Sequence, residues 1–123
     1  MATQAERRAN TRQALLDAAA ALLIEEGLAG FTTAAVTQRA GLSNGALFGH
    51  FPTRLDLLAA TLEHLLAGLR VGYERTFAGL VETGASPETL LELLWESMNG
   101  PVFGAVLGVY TQARTDAELL AAI

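Results

Sequence analysis

The stretch "TAAVTQRAGLSNGALFGHFPTRLDLL" (Thr33–Leu58) decides the fold. Thr32 and Thr33 stand before Ala34–Ala40, a short helix with a Thr cap, and Gly41 stops it. After Leu42, Ser43 caps a second short helix over Asn44–Phe51. Gly45 and Gly49 weaken that helix by about 1 kcal/mol each relative to Ala, so packing through Leu47 and Phe51 must hold it. Pro52 breaks the chain, and Thr53-Arg54-Leu55-Asp56 is a capping box that opens a longer helix. Short helix, tight Gly41-Leu42-Ser43 turn, short helix is helix-turn-helix geometry: the first helix braces the second, which enters the DNA major groove.

The flanks extend this reading. Upstream, Leu15, Ala19, Leu22 and Leu23 recur at helical spacing, which predicts a helix over residues 11–26 capped by Thr11 or Asn10. Gly27 ends it in a left-handed conformation, and Phe31 follows as a core anchor. Downstream, the helix opened by Thr53 runs from Arg54 to about Gly79 or Val81, with Leu57, Leu58, Leu62, Leu65, Leu66 and Leu69 on a wide apolar face. Ser86 and Pro87 start another helix through Leu90, Leu94, Trp95 and Met98, which Asn99-Gly100-Pro101 breaks. A further apolar helix spans Val102 to about Arg114, and Thr115-Asp116 caps a last segment, Leu119–Ile123. No strand pattern or internal repeat interrupts the series. The fold class is all-α, with about seven helical segments.

The chain has 123 residues, 51% of them hydrophobic, and a formal charge of −5. Such composition excludes disorder, and the absence of Cys excludes disulfide and thiol-metal chemistry. No apolar run approaches the ~20 residues of a membrane span, and the polar, Arg-containing start is unlike a secretory signal. No membrane partner and a cytoplasmic location are therefore expected. The net charge hides a division. Residues 1–54 carry five Arg against four acids, and residues 55–123 carry three Arg against nine acids. A mildly basic head on an acidic body suggests two jobs, although an ordinary solvated surface gives the same numbers. No nucleophile–base pair, Gly-rich phosphate loop or acidic metal cluster is evident, so neither catalytic residues nor a metal or cofactor is expected.

Thr33–Leu58 resembles the DNA-binding signature of the TetR family of bacterial transcriptional regulators. The resemblance lies in the Ala-Gly-Leu-Ser turn at residues 40–43, the Gly-x-Leu-aromatic-x-His-Phe-Pro run at 45–52, and basic Arg54 opening the next helix. It is strong over residues 8–66 and weaker over 87–122. It implies a three-helix, homeodomain-like helix-turn-helix head over residues 1–52 and a partial helical-bundle regulatory domain over 53–123. By the same resemblance, Thr33 and Arg54 match phosphate contacts. Asn44, Gly45 and Gly49 match positions facing base edges, and Ala46 and His50 match the backbone or groove edge. Ser43 caps the recognition helix among them. Arg7, Arg8 and Arg12 would reach phosphates or the minor groove as an N-terminal arm, or else form a solvated terminus. The implied partner is double-stranded DNA with a palindromic operator, bound by a homodimer, with a small-molecule effector and a repressor's role.

Three positions depart from the family's habit. Phe48 replaces the usual Tyr and loses a phosphate hydrogen bond, which favours packing as its role. Asn44 and Gly49 stand where longer side chains are frequent. Base readout is then thin: Asn44 can pair with an adenine edge and Ala46 can touch a thymine methyl, with DNA shape supplying more of the specificity. Asn44 could equally bond its own backbone. His64, with Glu63 beside it, suits surface or pocket lining.

Tyr73, Phe77, Trp95, Met98, Phe103 and Tyr110 lie on successive helices and would line an effector pocket by the same resemblance, an ordinary bundle core being the alternative. The family's members are usually longer and dimerise through two further helices, so a truncated regulator is expected here. Two rival readings stand beside it: an interaction fragment that heterodimerises with a full-length relative, and a small-molecule-binding helical bundle without DNA function.

Overall fold

The computed structural model describes residues 1–123. It holds seven helices, α1 (Gln4–Gly30), α2 (Thr33–Ala40), α3 (Asn44–His50), α4 (Arg54–Thr83), α5 (Pro87–Met98), α6 (Pro101–Ala113) and α7 (Ala117–Ala122), and no strand. The all-α expectation holds. No helix is long and apolar enough to cross a membrane.

The first helix departs from expectation at its start. It begins at Gln4 rather than near residue 11, because Thr3 and Glu6 form a capping box. Thr3 Oγ1 accepts from the Glu6 N–H at 3.1 Å, and Glu6 Oε2 accepts from the Thr3 N–H at 2.8 Å. Arg7, Arg8 and Arg12 are therefore side chains of a capped helix and not of an extended arm. Gly27 breaks the helix as expected, with φ 67° and ψ −167°, a conformation that a side chain would strain. One further turn then carries the chain to Phe31.

The next three elements follow their caps. Thr32 and Ser43 accept from the backbone N–H groups of Ala35 and Ala46, each at 3.1 Å. Gly41 closes α2 in the left-handed region, φ 67°. Thr53 and Asp56 form the expected reciprocal box at the start of α4. These caps satisfy backbone groups that a helix end leaves without partners.

One contiguous core of 19 residues runs through the molecule, from Leu15 in α1 to Leu119 in α7. Phe31, Leu47, Leu57 and Leu58 are fully buried within it. Phe51 and Leu57 belong to the same cluster, so the core continues across the chain break at Pro52. Burial of α4 ends at Leu65, and its second half rises clear of the core. The α5 helix buries no residue, leaving Leu91 66% and Trp95 69% exposed. The core is thus built from α1, α2, α3, the first half of α4, α6 and α7.

Candidate nucleic-acid interface

The α3 helix is seven residues long and carries two Gly, so its own propensity does not sustain it. Leu47, fully buried, and Phe51, just past its end, anchor it on the core. Those anchors leave Asn44, Gly45, Phe48 and Gly49 exposed. The expectation that Phe48 packs is not met: it is 44% exposed, because Leu47 and Phe51 already fill the inward positions of so short a helix.

The first turns of α1 flank this surface. Gln4, Arg7, Arg8 and Thr11 face Gly45, Ala46, Gly49 and His50 across an open cleft of about 440 Å³. Arg8 Nη2 donates to the Gly49 carbonyl at 3.5 Å, and the Arg12 guanidinium lies 5.3 Å from the Phe51 ring centroid. Partial burial, then Arg8 and Arg12, hold the His50 imidazole below its ordinary 6.5. The cleft is a concave, cationic wall beside a helix with small side chains, which suits a polyanion that must approach closely.

Asn44 is held from behind. Thr37 Oγ1 on α2 lies 3.3 Å from Asn44 Oδ1 and 3.0 Å from the Ala34 carbonyl, and its single proton serves these two acceptors. Asn44 is exposed, and its Nδ2 group makes no hydrogen bond within the chain. Thr33 is the first residue of α2, half-buried, and Ser43 spends its hydroxyl on the cap of α3.

Arg54 stands apart from this group. Its Nε donates to the Phe31 carbonyl at 2.8 Å and its Nη2 to the Leu28 carbonyl at 3.2 Å. Its neighbours across a cleft of about 370 Å³ are Gln112, Asp116 and Leu119 of the body, not α3. The structure therefore brings together Asn44, Gly45, Ala46, Phe48, Gly49, His50 and Arg12, and turns Arg54 elsewhere. One member was missed from sequence, and another was given a different setting. The Thr37–Asn44 link joins residues seven apart on different helices, for which the sequence carries no signal. The placement of Arg8 follows from the capped start of α1, which Thr3-Gln4-Ala5-Glu6 spells out.

The six aromatic and Met residues of the second half do not surround one cavity. Tyr73, with His64, Leu69 and Val102, lines an open groove of about 450 Å³, and Tyr73 and Phe77 line another of about 330 Å³. Trp95, Met98 and Tyr110 are exposed. His64 is half-buried, with Nε2 3.3 Å from Asp17 Oδ1.

A short bracing helix, a Gly turn and a short exposed helix beside a cationic flank define a helix-turn-helix head. Residues 15–61 match the bacterial regulatory proteins of the tetR family, and this segment is a tetR-family head. Named relatives agree. The HTH-type transcriptional regulator CymR of Pseudomonas putida is 41% identical over 92 residues, 75% of this chain and 44% of the relative. An uncharacterized HTH-type transcriptional regulator of Mycobacterium tuberculosis is 33% identical over 117 residues, 95% of this chain and 60% of the relative. BetI of Paraburkholderia xenovorans, also an HTH-type transcriptional regulator, is 30% identical over 114 residues, 88% of this chain and 57% of the relative. The chain thus spans about half the length of the curated relatives it matches. No solved structure gives a significant match.

Proposed function

We propose that the chain is a sequence-selective, double-stranded-DNA-binding regulator of transcription, with α3 as the recognition helix. One observation carries this reading: α3 presents Asn44, Gly45, Ala46 and Gly49 outward beside Arg7 and Arg8, within the segment that matches the tetR family. Asn44 donates and accepts at a base edge, and Ala46 lies against a thymine methyl. Gly45 and Gly49 let the helix backbone come close to the groove. Thr33, Ser43, Phe48, His50 and Arg12 border the contact, on the phosphate side.

The finer reading is a repressor that binds a palindromic operator as a homodimer and responds to a small molecule. The grooves beside Tyr73 and Phe77 support the effector site, with Trp95, Met98, Phe103 and Tyr110 on the neighbouring helices. An effector acts only through a difference in affinity between two states, so its binding and DNA binding must be linked. The named relatives are transcriptional regulators, which supports regulation over catalysis.

The deciding experiment selects duplexes from random DNA with the chain, then compares wild type with Asn44→Ala and Arg8→Ala from about 50 to 200 mM salt. Salt-sensitive binding to a recovered consensus, reduced in both variants, is expected. A pool no different from the input would end the reading. A second reading has support in the exposed Leu91, Leu94, Trp95 and Met98 of α5: a partner chain covers them, and the protein heterodimerises with a longer relative. Co-expression with a tagged longer relative checks it, and failure to co-purify counts against it.

A further inference from the structure

We infer that Arg54 is the positioning residue of the helix-turn-helix unit, stapling the chain's entry into that unit to its exit, and is not a ligand of DNA phosphate. The functional half of this inference rests on the DNA-binding reading above; the staple itself does not.

Arg54 opens α4, where the Thr53–Asp56 box fixes the backbone through bonds of 3.0 and 3.1 Å. From that fixed origin its side chain reaches back to the end of α1. There the chain leaves the helix at Phe31, φ −81° and ψ 88°, and carbonyls lose their intrahelical donors. One guanidinium supplies Phe31 O through Nε and, through Nη2, adds a second donor to Leu28 O, which already accepts from the Phe31 N–H at 3.2 Å. Its carbon also lies 5.6 Å from the centroid of the Phe31 ring, which is fully buried. A cation at a helix C-terminus, a forked donor on two carbonyls and a face-on aromatic reinforce one another.

The consequence is topological. Residues 32–53, which are α2, α3 and their caps, lie between the two ends of this bond. Arg54 therefore holds both ends of the recognition unit at one point and sets how α3 sits relative to α1 and α4. Gln112 and Asp116 line the opposite side of the same cleft, so the staple stands where head and body meet. The cationic cleft beside α3 has other walls, Arg7, Arg8 and His50, and does not include Arg54. A Lys here would keep the charge but could not span both carbonyls, because its single ammonium lacks the fork.

Arg54→Lys and Arg54→Gln test this. Melting is followed by circular dichroism, and affinity for a duplex selected by wild type is measured across a salt series at a temperature where each variant is folded. Both variants are expected to melt about 3–8 °C lower and to bind roughly 5–30-fold more weakly, with the wild-type salt slope retained. Wild-type binding by the Lys variant, together with a slope reduced by about 0.9 per head in the Gln variant and unchanged melting, would make Arg54 a phosphate ligand and overturn the inference. Lower melting with unchanged affinity would make it a stability residue only, which also overturns it. If the Gln variant does not fold, the Lys variant, with stem and charge intact, carries the comparison. If wild type itself selects no DNA, the DNA-binding reading fails alone. The staple then stands or falls on amide exchange at Leu47, faster in Arg54→Lys if α3 is loosened and unchanged if it is not.

Discussion

Thr37 and Asn44 share a hydrogen bond of 3.3 Å that joins the bracing helix to the first residue of the exposed one. It ties one lone pair of Asn44 Oδ1 to α2 and leaves the other lone pair and the Nδ2 protons for a partner. A bidentate Asn–adenine pair needs that amide pre-aimed, and is worth about 1–3 kcal/mol of base discrimination. Thr37→Val removes the hydroxyl while keeping the buried shape, so melting should shift little. Discrimination should fall at one base position only, toward the level of Asn44→Ala. Affinities for the selected duplex and its single-base variants measure this, and equal discrimination by Thr37→Val and wild type would detach Thr37 from readout.

Gly49 has open space around the position of a Cβ and lies within a helix at ordinary φ. Its absence of side chain is thus not required by packing. Gly49→Ala should raise stability by about 0.5–1 kcal/mol through helix propensity. It should also weaken DNA binding, because the added methyl stands where the groove approaches. A stabilised variant with undiminished affinity would remove Gly49 from the interface.

Most of the head was legible because its punctuation is local. Thr32, Gly41, Ser43 and the Thr53–Asp56 box each act within four residues, and the structure uses all of them. The start of α1 was equally local, in Thr3 and Glu6, but lay upstream of the apolar stripe that drew the boundary to residue 11. Arg54 was not legible: its partners are 23 and 26 residues away, and nothing in its neighbourhood distinguishes a carbonyl-binding Arg from a phosphate-binding one. In the second half, helix periodicity located α5 but could not say that Leu91 and Trp95 would stay exposed. An apolar stripe states a need for cover and does not name what supplies it.

Glu25 and Arg39 form a bidentate pair at 2.6 and 2.7 Å that ties α1 to α2. The Arg39 hydrogen bonds hold the Glu25 carboxyl below its ordinary 4.5. A carboxylate with a depressed pKa in the folded state gives stability that is complete above its unfolded value and is lost as pH falls through the folded one. Wild type should therefore out-melt Glu25→Gln at pH 7, and the gap should close below about pH 4. High salt should narrow it too, because both groups are solvent-exposed. Paired melting curves across pH and salt give the answer, and a gap that persists in acid would assign the effect to something other than the ion pair.

His50 links the interface to pH. Partial burial and the charges of Arg8 and Arg12 depress its pKa, so it is neutral in the free protein at pH 7. The unfolded chain binds a proton at His50 more readily than the folded one does. Free-state stability from this group is thus complete above about 6.5 and declines as pH falls through the depressed value. A phosphate entering the cleft reverses the balance: it offsets the two Arg charges and favours the imidazolium. DNA binding should then take up a proton and tighten as pH drops from about 7.5 toward 6, the range in which an unperturbed His titrates. His50→Gln should flatten this dependence while leaving the salt-sensitive contribution of Arg8 in place. NMR titration of the His50 ring, with and without the selected duplex, tests the cause directly. An upward shift on binding is expected at His50, and a pKa that falls or stays fixed would place the phosphate elsewhere.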